Sequence, residues 1–177
     1  MTFQLRSAES SDIESILILE RSTENAPHWP LTAYSAIVED ALSRRCLIVA
    51  EAGDRLAGFA VGSNQAGQTT AGELESVVVA ADCRRAGIGR ALCAAVLDWC
   101  RSRGATEIEL EVRSASVEAM SLYSSLGFGE IGRRPRYYRE PTDDALLMRL
   151  RTETVGRSAT VELSCLFAKT FPRKRAS

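Results

Sequence analysis

A β-rich segment, a loop with two glycines and a long amphipathic helix follow one another in the middle of the chain. The segment Glu73 to Ala80 ends in three valines, and the loop after it carries Gly87 and Gly89. From Ile88 to Arg103 the apolar residues recur at the helical period, and Gly104 stands where a helix-ending glycine is expected. This succession of strand, loop and helix predicts a domain that packs helices against a sheet.

The start of this helix has the features of an anion-binding site. Amide N–H groups without helical partners, together with the helix dipole, attract negative charge, and glycine lets the backbone approach a phosphate closely. Arginines in the loop add positive charge. We therefore predict a pyrophosphate ligand. The residues assigned to this site are Arg84, Arg85, Ala86, Gly87, Ile88, Gly89 and Arg90.

Two common phosphate-binding motifs do not fit this loop. The chain has no G-x-x-x-x-G-K-[ST] sequence, which excludes a P-loop, and a Rossmann fingerprint would need a third glycine where Leu92 stands. A glycine-containing turn with exposed arginines remains the alternative to an anion site.

Periodicity along the rest of the chain predicts the element order β-α-α-β-β-β-α-β-α-β-β. A capping box at Ser11 to Glu14 begins the first helix, which runs to Glu20. The other helices are Leu31 to Ser43, Ile88 to Arg103 and Val117 to Leu126. The strands are Phe3 to Arg6, Cys46 to Ala50, Leu56 to Val61, Glu73 to Ala80, Glu107 to Val112, Gly129 to Tyr137 and Ala145 to Leu150. This order fits an α/β domain with one mixed, mostly antiparallel sheet and helices on both faces.

Length and charge limit the classes of protein that the chain can belong to. Its 177 residues suit one domain, and 22 Lys+Arg against 23 Asp+Glu leave no overall field for nucleic acid or an anionic membrane. No apolar run reaches the ~18–20 residues that span a bilayer, and the first residues lack a signal-peptide profile. We expect a cytoplasmic protein without membrane partners.

The cysteines give no sign of a disulfide framework or a metal site. They are odd in number, widely spaced and without a C-x-x-C pair, so we expect reduced, mostly buried thiols and no metal ligands. The cysteines are Cys46, Cys83, Cys93, Cys100 and Cys165.

The pattern of the domain, residues 1–150, is lost in residues 151–177, where Thr, Ser and Arg dominate. We treat this stretch as an appended tail, although Thr160 to Phe167 could add a helix or strand. Its basic end is typical of a solvated terminus, and contact with RNA is the weaker interpretation, so a nucleic-acid partner is not expected.

Three sequence motifs occur in a fixed order. Arg84 to Gly89 reads R-x-x-G-x-G, then Leu110 to Arg113 reads L-E-V-R, and Ala119 to Phe128 reads A-x-x-L-Y-x-x-L-G-F. Over residues ~3–150 this pattern resembles the GNAT superfamily of acetyl-CoA-dependent N-acetyltransferases. Tyr137-Tyr138-x-x-Pro141 followed by Asp144-Ala145-x-x-Met148 is similar to the RimI-like members. Those enzymes acetylate protein N-termini, typically the N-terminal alanine of a small-subunit ribosomal protein.

The resemblance implies a role for each matching residue. Val77, Val78 and Val79 match the strand whose backbone pairs with the pantetheine arm and directs an N–H at the thioester carbonyl. Glu111 matches the general base and Tyr123 the general acid. The loop residues assigned above match the pyrophosphate loop. Where the family usually has an asparagine that contacts the cofactor, this chain has Ser116, whose hydroxyl has a shorter reach.

Acetyl transfer to an amine needs these residue types. An α-amine with a pKa of about 7.7–8.0 must lose a proton before it attacks, and a carboxylate can accept that proton. The thiolate that leaves can be protonated by a phenol. Because the thioester is already activated, no nucleophilic side chain is required. The chain's single histidine, His28, accordingly suits a loop better than a catalytic triad.

The sequence constrains the identity of the acceptor less than that of the cofactor. Tyr137, Tyr138 and Pro141 are predicted to lie between the last two strands. The resemblance to the RimI-like members implies that a peptide N-terminus enters between this loop and the segment around His28-Trp29. A small amine or a lysine side chain remains an alternative acceptor. Glu73 and Glu75 are alternative bases, and a non-catalytic acyl-CoA-binding module is the rival that Ser116 motivates.

Overall fold

The computed structural model describes residues 2–24, 26–40, 44–64 and 71–152. Within them, the strands are β1 (Gln4–Ser7), β2 (Arg45–Ala52), β3 (Arg55–Asn64), β4 (Ala71–Val79), β5 (Glu107–Arg113), β6 (Gly129–Arg139) and β7 (Thr142–Arg151). The helices are α1 (Ile13–Arg21), α2 (Leu31–Glu39), α3 (Ile88–Ser102) and α4 (Val117–Ser125). Short 3-10 turns cover Ser10–Asp12 and Ala81–Cys83. The predicted order of strands and α-helices is confirmed.

The strands form one sheet in the order β1-β2-β3-β4-β5-β7-β6. All neighbouring strands pair antiparallel except β4 and β5, which are parallel. A parallel pair needs a crossover, and α3 provides it because it lies between these two strands in the chain. The predicted mixed, mostly antiparallel sheet is confirmed.

The parallel pair separates after its first three residues. Only Ala71 to Glu73 pair with β5, although β4 continues to Val79 along β3. The β3–β4 register skips Glu75, so β4 carries one extra residue at this point. A β-bulge of this kind bends its strand. The sheet therefore opens between β4 and β5 next to the bulge, and β4 has no ladder partner on the β5 side beyond Glu73.

Two apolar cores lie against the sheet. One joins α3 and α4 to the sheet and includes Leu92 and Val96, and the other joins α1 and α2 to it and includes Ile16 and Tyr34. Successive sheet residues alternate between the cores, as the period of a strand requires. Helices therefore lie on both faces, as predicted. Gly62 is required for the close approach of α3, because a Cβ there would stand 2.3 Å from a Val96 methyl carbon.

The start of α1 and the end of α2 differ from the prediction. The Asp12 carboxylate accepts a hydrogen bond from the Glu9 N–H at 2.7 Å and α1 begins at Ile13, so the predicted box with Ser11 and Glu14 was wrong. Asp and Ser side chains are both common at helix starts. Because a 3-10 turn covers Ser10–Asp12, Asp12 and not Ser11 is the residue that precedes α1. α2 ends at Glu39 because Asp40 is extended, so the predicted end at Ser43 was wrong; residues 41–43 lie outside the described residues.

Tyr137 and Tyr138 lie inside β6, not between the last two strands as predicted. The turn itself is Glu140-Pro141. The β6–β7 register shifts between Arg134 and Tyr138, and this irregularity masks the strand period in the sequence.

The predictions for the tail from residue 153 onward fall outside the described residues. No helix in the described part of the chain is long and apolar enough to cross a membrane.

Candidate active site

A cleft of about 730 Å³ lies where β4 and β5 separate. Six parts of the chain line it: the segment between α1 and α2, the second half of β4, Arg84 in the loop before α3, the end of β5, α4 with the turn before it, and one residue of β6. Its lining includes Thr23, Glu24, Ala26, Pro27, Glu75, Val77, Val78, Arg84, Glu111, Arg113, Ser116, Tyr123 and Tyr138. Six of the thirteen residues predicted for the site line the cleft: Val77, Val78, Arg84, Glu111, Ser116 and Tyr123.

Glu111 lies on β5 at the mouth of the cleft, and its side chain is 29% exposed. Arg134 of the edge strand β6 reaches across β7 and forms an ion pair with its carboxylate. The Arg134 guanidinium also lies 5.4 Å from the centre of the Tyr137 ring. Sequence patterns alone do not identify Arg134 as a site residue, because its approach to Glu111 depends on the shifted register of β6.

Tyr123 enters the cleft from α4. Its ring packs edge-to-face on Phe128, with the ring centres 6.0 Å apart. Burial raises the pKa of the Tyr123 hydroxyl above its ordinary value, so the group keeps its proton through neutral pH. The structure thus brings Glu111 and Tyr123, the two residues with a predicted proton-transfer role, to one cleft.

The loop before α3 lies beside the cleft, and within it only Arg84 lines the cavity. Gly87, the residue before α3, has a left-handed backbone with φ +83°, and a Cβ there would meet nothing within 4 Å. This glycine leaves open space above the helix N-terminus. Arg90 is turned to α4, where it donates to the Ser125 hydroxyl at 2.8 Å. Arg85, Ala86, Ile88 and Gly89 lie around the helix start and do not line the cleft.

Val77, Val78 and Ser116 line the cleft, whereas Val79 ends β4 just beyond the lining residues. Ser116 precedes α4, and its side chain makes no capping hydrogen bond. The turn before it is held from β7, since Asp143 accepts from the Ser114 hydroxyl at 2.6 Å and the Ala115 N–H at 3.1 Å. These bonds hold the pKa of Asp143 below its ordinary value.

The aromatic wall of the cleft is fixed by an arginine that the sequence motif contains. The Arg113 guanidinium stacks on Tyr138, 4.0 Å from the ring centre. It also donates to the carbonyl oxygens of Pro141 at 3.1 Å and Glu140 at 3.3 Å. Arg113 therefore ties the β6–β7 turn to β5 and holds Tyr138 against the cleft.

The two alternative bases differ in their surroundings. Glu75 lines the cleft with a side chain that is 9% exposed, and its carboxylate is paired with Arg45 at 3.0 Å. Glu73 lies near the closed end of the β4–β5 gap and is not among the lining residues. Burial, and then the negative charges of Glu75 and Glu111, raise the pKa of Glu73.

His28 is an exposed loop residue, as expected, with its Nε2 3.1 Å from the Thr23 carbonyl oxygen. In the described part of the chain the thiols are free, and burial raises the pKa of Cys93 to about 12. No cluster of three or more His, Cys, Asp or Glu suited to a metal ion occurs among the described residues.

The chain matches the sequence profile of the acetyltransferase (GNAT) family over residues 12–128. This match covers well over half of the 177 residues. Together with the divided sheet and its cleft, it shows that the chain belongs to the GNAT acetyltransferase family.

Particular relatives are similar to this chain. Ribosomal protein bS18-alanine N-acetyltransferase of Salmonella typhimurium is 38% identical over 103 residues, which cover 56% of this chain and 66% of that protein. The N-alpha-acetyltransferase RimI of Mycobacterium tuberculosis is 37% identical over 123 residues, 68% of this chain and 74% of that protein. The crystal structure of the ribosomal-protein-S18-alanine N-acetyltransferase from Escherichia coli aligns with a TM-score of 0.75 at 26% identity, covering 90% of this chain and 100% of that one.

In several relatives the match covers only part of the relative's own length. The chain spans between 33% and 66% of the length of the first curated relatives it matches. The fold and family follow from these matches.

Proposed function

We propose that this protein transfers the acetyl group of acetyl-CoA to the α-amine of a protein N-terminus, and that a ribosomal protein beginning with alanine is such an acceptor. The observation that carries the proposal is the placement of Glu111 and Tyr123, from two different elements, on one cleft, where β4 and β5 separate. Relatives named for alanine N-acetylation support it.

The residues around the cleft fit acetyl-CoA. Beyond Glu73, β4 offers backbone groups that no strand satisfies on the β5 side, so an extended pantetheine arm would find hydrogen-bond partners there. The start of α3 presents amide N–H groups and the open space over Gly87 to a pyrophosphate. Residues Val77 to Val79 and the loop Arg84 to Arg90 are the proposed cofactor contacts. Ser116 adds one hydroxyl at the other wall.

Two side chains serve the proton transfers. Glu111, at the mouth of the cleft, accepts a proton from the acceptor ammonium, directly or through a water, and the neutral amine then attacks the acetyl carbonyl. The tetrahedral intermediate loses its second amine proton and collapses with cleavage of the C–S bond, while the leaving thiolate takes a proton from the Tyr123 hydroxyl. The amine proton returns to the Tyr123 oxygen through solvent, and the proton on Glu111 is released to water. Burial of that hydroxyl keeps it protonated until the thiolate forms. The products are the N-acetylated peptide and coenzyme A.

The acceptor enters between two walls. Tyr138, fixed by Arg113, forms one, and four residues between α1 and α2 form the other: Thr23, Glu24, Ala26 and Pro27. A gap between a ring and a short loop suits an extended peptide with a small first residue. Glu75 and Glu111 are each paired with an arginine, and the Glu111 side chain, 29% exposed against 9% for Glu75, is the more accessible base.

A single-turnover experiment tests the proposal. The protein is loaded with acetyl-CoA, mixed with a peptide that begins with alanine, and followed by mass spectrometry of the peptide and by free thiol release. Acetylation of the peptide N-terminus with release of one thiol per acetyl group supports the proposal. Binding of acetyl-CoA without transfer to any amine indicates a non-catalytic acyl-CoA-binding module, and transfer only to lysine or a small amine indicates another GNAT activity.

A further inference from the structure

Glu20 is a carboxylate without solvent exposure on α1, and it is not among the residues that line the cleft. Burial of an ionisable group costs free energy unless hydrogen bonds or an opposite charge compensate for the lost water. Its Oε1 accepts two hydrogen bonds, one from the Tyr34 hydroxyl at 2.6 Å and one from the Trp29 backbone N–H at 3.1 Å. Its Oε2 is buried and has no hydrogen-bond partner.

The two donors come from opposite sides of a turn. Tyr34 is a fully buried residue of α2, and Trp29 belongs to the segment that connects α1 to α2. That same segment supplies Thr23, Ala26 and Pro27 to the cleft. The bond to the Trp29 N–H therefore fixes the end of the segment that forms the acceptor-side wall.

A second set of contacts connects this segment to β4. The Trp29 ring lies 5.4 Å from the guanidinium carbon of Arg45 and 5.7 Å, centre to centre, from the Tyr34 ring. Arg45 in turn pairs with Glu75, the cleft residue at the β4 bulge. Trp29 is thus held at two points: its backbone N–H is bonded to Glu20, and its ring lies against the Arg45 guanidinium.

We propose that Glu20 is a positioning residue for acceptor binding: through the Trp29 N–H it holds the segment between α1 and α2 at the distance from Tyr138 that the peptide requires. This inference rests on the proposed function. A carboxylate is suited to the task because a charged acceptor gives a stronger bond to an N–H than a neutral one. Its action is confined to the peptide side, since the acetyl-CoA contacts come from β4 and α3.

The test compares Glu20→Met with Tyr34→Phe. The methionine variant keeps the length of the side chain and removes the acceptor of both bonds. The phenylalanine variant removes the hydroxyl alone and leaves the Trp29 N–H bonded to Glu20, so it is the matched control for lost stability. Glu20→Gln, which retains one oxygen, serves as a conservative rescue and as the second variant if Glu20→Met does not fold.

Two readouts are expected to separate the variants. Hydrogen exchange of the Trp29 amide loses protection in Glu20→Met, keeps it in Tyr34→Phe and recovers partly in Glu20→Gln. The KM for an N-terminal alanine peptide rises roughly tenfold in Glu20→Met, the scale of one lost hydrogen bond to a charged group. The acetyl-CoA KM and the kcat at saturating peptide stay near wild type, which a loss of folded protein alone would not produce.

The inference is overturned if Trp29 exchange is unchanged in Glu20→Met, or if Tyr34→Phe raises the peptide KM as much as Glu20→Met does. It is also overturned if Glu20→Met and Glu20→Gln both lower kcat and leave the peptide KM unchanged. The exchange measurement requires no turnover, so a wild-type protein that fails to acetylate any peptide refutes the proposed function while the exchange result still decides the role of Glu20.

Discussion

Arg134 and Glu111 form an ion pair that crosses the intervening strand β7. The Arg134 side chain is 49% exposed, so the pair contributes about 0–1 kcal/mol to stability. The ion pair matters instead for geometry, because it holds the Glu111 carboxylate at the mouth of the cleft.

Removal of either proton-transfer group should lower turnover strongly. Glu111→Gln and Tyr123→Phe are each expected to reduce kcat by about 10²–10⁴, the usual scale for a general acid or base. Acetyl-CoA affinity, measured by calorimetry, should barely change because neither group is assigned to the cofactor. Arg134→Gln is expected to reduce kcat less than Glu111→Gln does, since the base itself remains.

The control for these variants is Glu109→Gln. Glu109 lies two residues before Glu111 on β5 and is paired with Arg149 outside the cleft lining. Near wild-type turnover in Glu111→Gln, with Glu109→Gln equally active, would show that the base is misassigned and would direct attention to Glu73 or Glu75.

Gly87→Ala is expected to weaken acetyl-CoA binding and to lower stability by about 1 kcal/mol, the cost of a left-handed backbone for a residue with a Cβ. Gly104→Ala is a matched control at the opposite end of α3. Its φ is +84° against +83° for Gly87, and an added Cβ meets nothing within 4 Å at either position.

Thermal unfolding and calorimetry on the two glycine variants check this prediction. Both should lose similar stability, and only Gly87→Ala should lose affinity for acetyl-CoA. Equal affinities in the two variants would contradict the assignment of the α3 N-terminus to the pyrophosphate.

Glu73 should make the fold less stable as the pH rises. Burial and the charges of Glu75 and Glu111 raise its pKa in the folded state, so the folded protein holds this proton more tightly than the unfolded chain does. The resulting stabilisation is complete below the unfolded glutamate pKa of about 4.3 and is lost as the pH rises through the folded value.

Glu73→Gln should therefore raise the Tm relative to wild type at pH 7 and change it little at pH 4. Glu14→Gln, at an exposed position on α1, is the control for the loss of one negative charge. A Tm difference for Glu73→Gln that is the same at both pH values would contradict the raised pKa.

Local patterns were enough to predict most of the fold. The helical period of Ile88 to Arg103 and the valine-rich end of β4 both correspond to observed elements. The start of α1 was missed because Ser11 and Asp12 are both good helix-start residues. The end of α2 was missed because the extended backbone of Asp40 leaves no mark in the apolar pattern.

The site could be predicted only where its residues belong to short motifs. Glu111 and Tyr123 do, and the structure places both on the cleft. Arg134, Asp143 and Glu20 act through contacts between residues far apart in the chain, set by strand register and helix packing, which a single sequence does not encode locally.

The last prediction concerns the choice between an α-amine and a lysine side chain. At neutral pH a lysine amine with a pKa of about 10.4 has roughly 300-fold less free base than an α-amine near 8. The proposed base, Glu111, offers a single carboxylate, which does not remove that difference. Paired peptides that begin with alanine and contain one internal lysine, differing only in whether the α-amine is blocked, should therefore be acetylated at very different rates. Rapid product from the free peptide and almost none from the blocked one, measured by mass spectrometry, is the expected outcome. Equal rates would refute the N-terminal acceptor and leave acetyl transfer itself in place.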